Sequence, residues 1–273
     1  MKAPNFQYAR ASSLDEACAI LAQHGDAARI LAGGQSLMPT LNMRLSSPAL
    51  LLDINRIEAL RGITADGDMI RIGALVRHAE LAESVIIRRH LPLLSEAIQH
   101  VAHPAVRNRG TFGGSIALAD PAAELPACAV ALGASFVLMS RRGPRVIPAE
   151  HFFKGLYETE RRPDEILTET RIPAQKPGTR YGFAELARRH GDFAIVGLAC
   201  TQTEALRLVF FGCEDRPRLA REAATAKGIP AAQAALANDL KPMANLQGSA
   251  AMKLHLARVL AGRVLAALQT VPA

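Results

Sequence analysis

Two glycine pairs are the residues whose type and spacing best suit chemistry. Leu31-Ala32-Gly33-Gly34-Gln35-Ser36-Leu37 follows the apolar run Ala27-Ala28-Arg29-Ile30-Leu31 and reads as a strand entering a tight turn. Without a Cβ, glycine reaches backbone angles closed to other residues and lets its N–H groups approach an anion closely. Gln35 and Ser36 add side-chain donors. A lone glycine pair more often makes a plain turn, but Arg109-Gly110-Thr111-Phe112-Gly113-Gly114-Ser115 repeats the recipe far downstream, followed by Asp120-Pro121-Ala122-Ala123-Glu124. Two such segments can clamp one pyrophosphate from two sides.

Other reactive residue types form no comparable pattern. Cys18, Cys128, Cys200 and Cys213 are scattered without a C-x-x-C pair, as expected of buried hydrophobes and not of an iron–sulfur or zinc carrier. His24, His78, His90, His100 and His103 show no metal-ligand spacing, and no metal site is expected. Asp120 and Glu124 are spaced like an acid/base pair, yet their place after the second glycine segment favours binding. No G-x-G-x-x-G follows a strand, which excludes the Rossmann fingerprint. The net charge of +7 is carried by short pairs such as Arg88-Arg89 and Arg188-Arg189, with no tryptophan and no aromatic interleaving, so a nucleic-acid platform is disfavoured. These pairs are solvated faces or docking points for acidic partner surfaces and anionic acceptors.

Three stretches carry a resemblance that covers essentially the whole chain: LAGGQSLMPTLNMRLSSPALLLDI (31–54), RNRGTFGGSIALADPAAELPACAVALGA (107–134) and FAELARRHGDFAIVG (183–197). Together they resemble the FAD-binding medium subunit of the molybdenum hydroxylases, the family of the carbon monoxide and xanthine dehydrogenases. The resemblance implies a vanillyl-alcohol-oxidase-like (PCMH-type) FAD-binding fold of two α/β lobes plus a C-terminal α+β domain. It also implies an oxidoreductase whose FAD relays electrons from the 2Fe–2S clusters of a small partner subunit to an external acceptor. A large partner subunit would carry the molybdopterin-bound molybdenum, in a dimer of heterotrimers. Position by position, it gives the diphosphate to Leu31, Ala32, Gly33, Gly34, Gln35, Ser36 and Leu37 on one side and to Thr111, Gly113, Gly114 and Ser115 on the other. One or other of Asp120 and Glu124 would meet the ribose or ribityl group, Leu167 would lie near the isoalloxazine, and Phe193 would stack on it, with His190 beside that aromatic. Where similar subunits often have tyrosine, Phe193 keeps the stacking and lacks the hydroxyl. Two other functions are open: a stand-alone FAD-dependent oxidoreductase of the same fold, and a nucleotide-binding module without redox activity.

The elements that must position these residues follow from the pattern. Of the 273 residues, 49% are hydrophobic and 21% charged, ordinary for a globular chain large enough for two domains or three small ones. No apolar run reaches about eighteen residues and the first residues carry no apolar signal core, so a cytoplasmic protein without a membrane span is expected. Ser13 and Glu16 form a capping-box pattern opening a helix to His24, with Gly25 ending it. A second strand, 49–54, completes a lobe over 1–57. A hairpin spans 62–74 around Asp66-Gly67-Asp68; helical patterns follow at 77–83, 91–101 and 125–132; strands follow at 136–139, 145–147 and 165–172, with a helical turn at 149–153. These make a second lobe over 58–176. A linker at 175–178 leads to a domain over 177–273 with strands at 179–189, 194–204 and 206–211, expected as a three-stranded antiparallel sheet, and helices at 231–236 and 249–268.

Overall fold

The computed structural model describes residues 2–270 as three main sheets and a two-stranded hairpin, with helices packed on them. The first part runs β1 (Gln7–Arg10), α1 (Leu14–His24), β2 (Ala28–Leu31), α2 (Leu37–Asn42) and β3 (Leu50–Asp53). Its strands lie in the order β1-β3-β2, all parallel, with the fully buried β3 in the centre. Ser13 Oγ accepts the Glu16 amide at 3.1 Å and so caps α1; the Glu16 carboxylate reaches back one residue further than a standard box, accepting from the Ser12 amide and hydroxyl. Helix α1 buries Ala17, Cys18 and Leu21 against this sheet. β1, with mostly exposed residues, has no apolar pattern that sequence reading could find.

The second part contains β4 (Ile63–Asp66), β5 (Met69–Gly73), α3 (His78–Glu83), α4 (Val85–His90), α5 (Pro92–Ala97), α6 (Pro104–Arg107), α7 (Phe112–Leu118), α8 (Glu124–Ala131), β6 (Ser135–Ser140), β7 (Gly143–Pro148), α9 (Ala149–Phe152), the small hairpin β8 (Phe153–Gly155) and β9 (Glu158–Thr159), and β10 (Ile166–Pro173). The antiparallel sheet β4-β5-β10-β6-β7 presents Ile70, Ile72, Phe136, Leu138 and Ile172 to a core that it shares with α5, α7 and α8. The expected helix over 91–101 ends at Ala97. Pro104 starts α6 at its first position, where a missing N–H costs nothing. The segment read as a second glycine loop is itself the helix α7, capped by the Thr111 side chain.

The third part comprises β11 (Arg180–Leu186), β12 (Val196–Gln202), β13 (Leu206–Phe211), β14 (Arg218–Leu219), α10 (Arg221–Thr225), α11 (Ile229–Asp239) and α12 (Ala250–Thr270). The antiparallel sheet has four strands where three were expected, because β14 is two residues long and leaves no periodic trace. One face covers α12 and its neighbours. The other joins the second part's core through Phe183, Ala199, Val209 and Phe211. Arg207 donates to the carbonyls of Val130 and Ala131 at the end of α8, and Thr201 Oγ1 donates to Ala131 at 2.9 Å, so that helix terminus is satisfied across the seam.

Within this sheet Gly197 pairs with Phe211, whose ring lies across it: a Cβ there would come within 2.0 Å of the ring. Gly197→Ala is expected to lower unfolding stability by about 1–3 kcal/mol, the usual overpacking cost. Denaturant titration checks this, and an unchanged midpoint would contradict it.

Candidate functional site

The two glycine segments meet directly. A Cβ on Gly33 would lie 2.4 Å from the Arg109 carbonyl oxygen and 2.9 Å from the Gly110 Cα, so only glycine permits the approach. Gly34 has φ +72°, in the left-handed region that favours glycine, and turns the chain from β2 into α2. The amides of Gly33, Gly34, Gln35, Ser36 and Leu37 donate to no carbonyl or side chain among the described residues. Gly33, Gly34 and Gln35 line a polar cleft of about 480 Å³ together with Leu31, Ala32, Met38 and Arg109, among others, and Ser36 and Leu37 follow them at the start of α2. Unclaimed amides beside an arginine match the needs of a diphosphate.

A side-chain network braces the contact. Asn55 Nδ2 donates to the carbonyls of Ala32 (2.8 Å) and Leu31 (3.3 Å); Arg77 donates to Asn55 Oδ1 at 2.7 Å and to the Arg109 carbonyl. Asp53 receives Asn55, Tyr8 and Arg10; burial works to raise its carboxyl, but those bonds hold it below its ordinary value, ionised at the cleft wall. Behind Gly110 sits His78, buried, with neither ring nitrogen bonded among the described residues. Burial, helped by the charges of Arg107 and Arg77, pushes it down to about 4, so it is neutral at physiological pH. Sequence reading passed over Asp53, Asn55, Arg77 and Arg109. Only the position of Arg109 directly before the second glycine segment hinted at a role.

The second segment differs from the first. Gly113 donates its amide to Ala74, and its absent Cβ would sit 2.5 Å from the Ala74 Cβ, so this glycine serves helix packing against β5. Gly114 donates to Thr111 Oγ1 at 3.1 Å, and Ser115 donates to the Thr111 carbonyl. What this segment leaves unclaimed among the described residues is the Thr111 amide and the hydroxyl hydrogens of Ser115 and of the buried Thr111. Asp120, half-buried after α7, accepts the Ala122 amide at 2.9 Å and the Tyr157 hydroxyl at 3.3 Å. Glu124 opens α8, and its burial, with Glu185 and Asp120 nearby, pushes it up to about 8.

The remaining candidates lie apart. Leu167 is 4% exposed with its side chain in the core, beside a bulge whose Thr168 carbonyl takes the Ala74 amide. Phe193 is 57% exposed and so is no core aromatic. Its loop is docked through Gly191, whose Cβ position is 2.9 Å from the Ala102 carbonyl, next to the segment leading into α6 and the second glycine segment. A separate cleft of about 270 Å³ around Arg61, Arg71 and Arg171 contains none of these residues. Among the described residues no cluster of metal-ligating side chains occurs, and no helix is long and apolar enough to cross a membrane.

Comparison with known proteins identifies the family. Residues 4–175 match the family described as FAD binding domain in molybdopterin dehydrogenase, and residues 181–268 match the CO dehydrogenase flavoprotein C-terminal domain. The chain is 48% identical over 217 residues to the caffeine dehydrogenase subunit beta of Pseudomonas sp. (strain CBB1), covering 79% of this chain and 70% of that one. It is 40% identical to the 6-hydroxypseudooxynicotine dehydrogenase complex subunit alpha of Paenarthrobacter nicotinovorans, covering 97% and 95%. A chain of carbon monoxide dehydrogenase from Hydrogenophaga pseudoflava, solved without the Mo-pyranopterin moiety of its cofactor, superposes with TM-score 0.95 at 37% identity over 98% and 99% of the two chains.

The raised Glu124 carboxyl has a stability consequence. The unfolded chain loses this proton near 4.5 and the folded one near 8, so stability is full below 4.5 and falls as pH rises through that window. Glu124→Gln should remove this fall and leave the variant on the order of 2–4 kcal/mol less penalised at pH 9 than the wild type. Unfolding midpoints across pH 4–9 check it, and parallel curves would refute it.

Proposed function

This chain belongs to the family of FAD-binding subunits of the molybdopterin dehydrogenases, and from that premise we propose that it holds FAD across the two glycine segments and relays electrons. The electrons would come from the iron–sulfur clusters of a small partner subunit, fed by a molybdopterin subunit that oxidises the substrate, and would leave to an external acceptor. The observation that carries this reading is the contact of Gly33 with Arg109 and Gly110, with five amides unclaimed beside it.

Gly33, Gly34, Gln35, Ser36 and Leu37 would bind the diphosphate through their amides, with Arg109 adding charge and the hydroxyls of Thr111 and Ser115 closing the other side. Gly113 and Gly114 contribute by letting α7 pack close, and Leu31 and Ala32 by lining the cleft. Asp120 or Glu124 would accept from sugar or ribityl hydroxyls, the backbone at Leu167 would flank the ring system, and Phe193 would cover one of its faces. Bound FAD supplies the redox chemistry, taking and giving electrons singly or in pairs. The chain's own part is to bind, orient and exclude water. The division into 1–57, 58–176 and 177–273 fits this role: the glycine segments lie in the first two parts and Phe193 in the third. The neutral His78 keeps a positive charge out of the packing behind Gly110.

Two outcomes are expected. The purified chain should bind FAD at about one per chain, and Gly33→Ala should weaken that binding at least about tenfold because the segments must part; flavin fluorescence titration measures both. No FAD binding by the wild type would end the reading, and substrate turnover by the chain alone would replace it with a stand-alone oxidoreductase. Phe193→Ala should change the absorbance or potential of bound FAD while shifting the unfolding midpoint by less than about 0.5 kcal/mol, as an exposed side chain would. A purely thermal effect would remove Phe193 from the site.

A further inference from the structure

The small hairpin of β8 and β9 is rooted in the core and open at its tip. Phe152 and Phe153, at its base, are buried edge-on against Phe136, the Glu160 amide donates to the Phe152 carbonyl at 2.8 Å, and Arg216 donates to the Lys154 carbonyl. The tip residues Leu156 and Tyr157 are 60% and 56% exposed. Tyr157 has φ +55°, in the left-handed region that a bulky side chain adopts only at a cost. Its hydroxyl donates to Asp120 Oδ2 at 3.3 Å, the one hydrogen bond its side chain makes among the described residues.

The other side of this contact is strained in the same way. Ala119, with φ +56°, ends α7 and turns the chain into Asp120. Four non-glycine residues have left-handed backbone among the described residues, and two of them, Ala119 and Tyr157, flank this one hydrogen bond. Strain of this kind gathers where a site requires it. Asp120 is fixed further by its own loop: Oδ1 accepts the Ala122 amide at 2.9 Å, and the carbonyl of Pro121 accepts the Gly212 amide at 2.7 Å.

An ionised carboxylate offers about four acceptor positions. Two are used on Asp120, and the Tyr157 oxygen keeps lone pairs of its own, so the pair suits neighbouring hydroxyls of a sugar or polyol. Glu124, only 7% exposed, is closed off by comparison. Thr111, next to the Gly110 that touches Gly33, caps one end of α7, and Asp120 follows the other; seven helical residues set these ends about 10 Å apart.

We propose that Tyr157 is a positioning residue of the cofactor site, holding Asp120 so that its remaining lone pairs accept hydroxyls of the sugar or ribityl part of FAD. The inference rests on the reading under Proposed function, and it selects Asp120 from the two acids left open there.

The test is the FAD dissociation constant of the full chain, by flavin fluorescence titration, for the wild type, Tyr157→Phe, Asp120→Ala and the double variant, with unfolding midpoints of the FAD-free proteins measured alongside. Tyr157→Phe should weaken FAD binding about three- to tenfold, the size of one hydrogen bond, and leave the midpoint unchanged. In the Asp120→Ala background the same change should alter affinity less than about twofold, because no carboxylate is left to position. A tyrosine with a merely structural role would lower the midpoint and leave affinity alone. Wild-type affinity in Tyr157→Phe or in Asp120→Ala, or an equal loss on Tyr157→Phe in both backgrounds, overturns the proposal with FAD still bound. A wild-type chain that holds no FAD overturns the reading beneath it.

Discussion

One backbone approach sets the geometry of the cleft: Gly33 against the Arg109 carbonyl and Gly110. The first segment leaves the three-stranded parallel sheet and the second opens helix α7, far away in the chain, so nothing local holds them together. Asn55 and Arg77 do so, tying the end of β2 to the start of the second segment through backbone carbonyls. Because Asn55 and Arg77 consume carbonyl oxygens there, the cleft surface of the first segment is left with N–H groups, which is why it suits an anion. The same constraint explains the asymmetry between the segments. The first keeps its amides free; the second spends most of its own capping α7 and packing it against Ala74.

The seam between the second and third parts follows a different logic. Its apolar centre is continuous, with Phe183 stacked at 5.8 Å on Phe211, and the end of α8 is fully satisfied by Arg207 and Thr201. Toward the edge, however, carboxyls and histidines take the place of apolar residues. Burying a carboxyl is costly only while it is charged. The arrangement accordingly leaves protons bound near neutral pH, and it does so beside the loop that presents Phe193.

Most elements were legible because they obey a single period. The helix 14–24 has its cap and its glycine stop, the hairpin 63–73 its Asp-Gly turn, and the final helix its apolar stripe. β1 and β14 were not, since an exposed strand and a two-residue strand acquire their pairing only from a neighbour. Helix α7 was hidden by its own glycines, which read as a loop until Thr111 caps them and Ala74 fills the space that a Cβ would occupy.

The sequence by itself determined the chemistry on offer: two glycine pairs with hydroxyls, acids after the second, an aromatic in the Arg188–Phe193 motif, and a family resemblance through them. These are properties of residue type and short spacing, which survive without coordinates. Only the tertiary structure decided which amides remain free, that Leu167 points into the core while Phe193 is exposed, and that the Glu185 side chain is buried against His100. Hydrogen-bond satisfaction and burial depend on partners distant in the chain, and no local pattern records who those partners are.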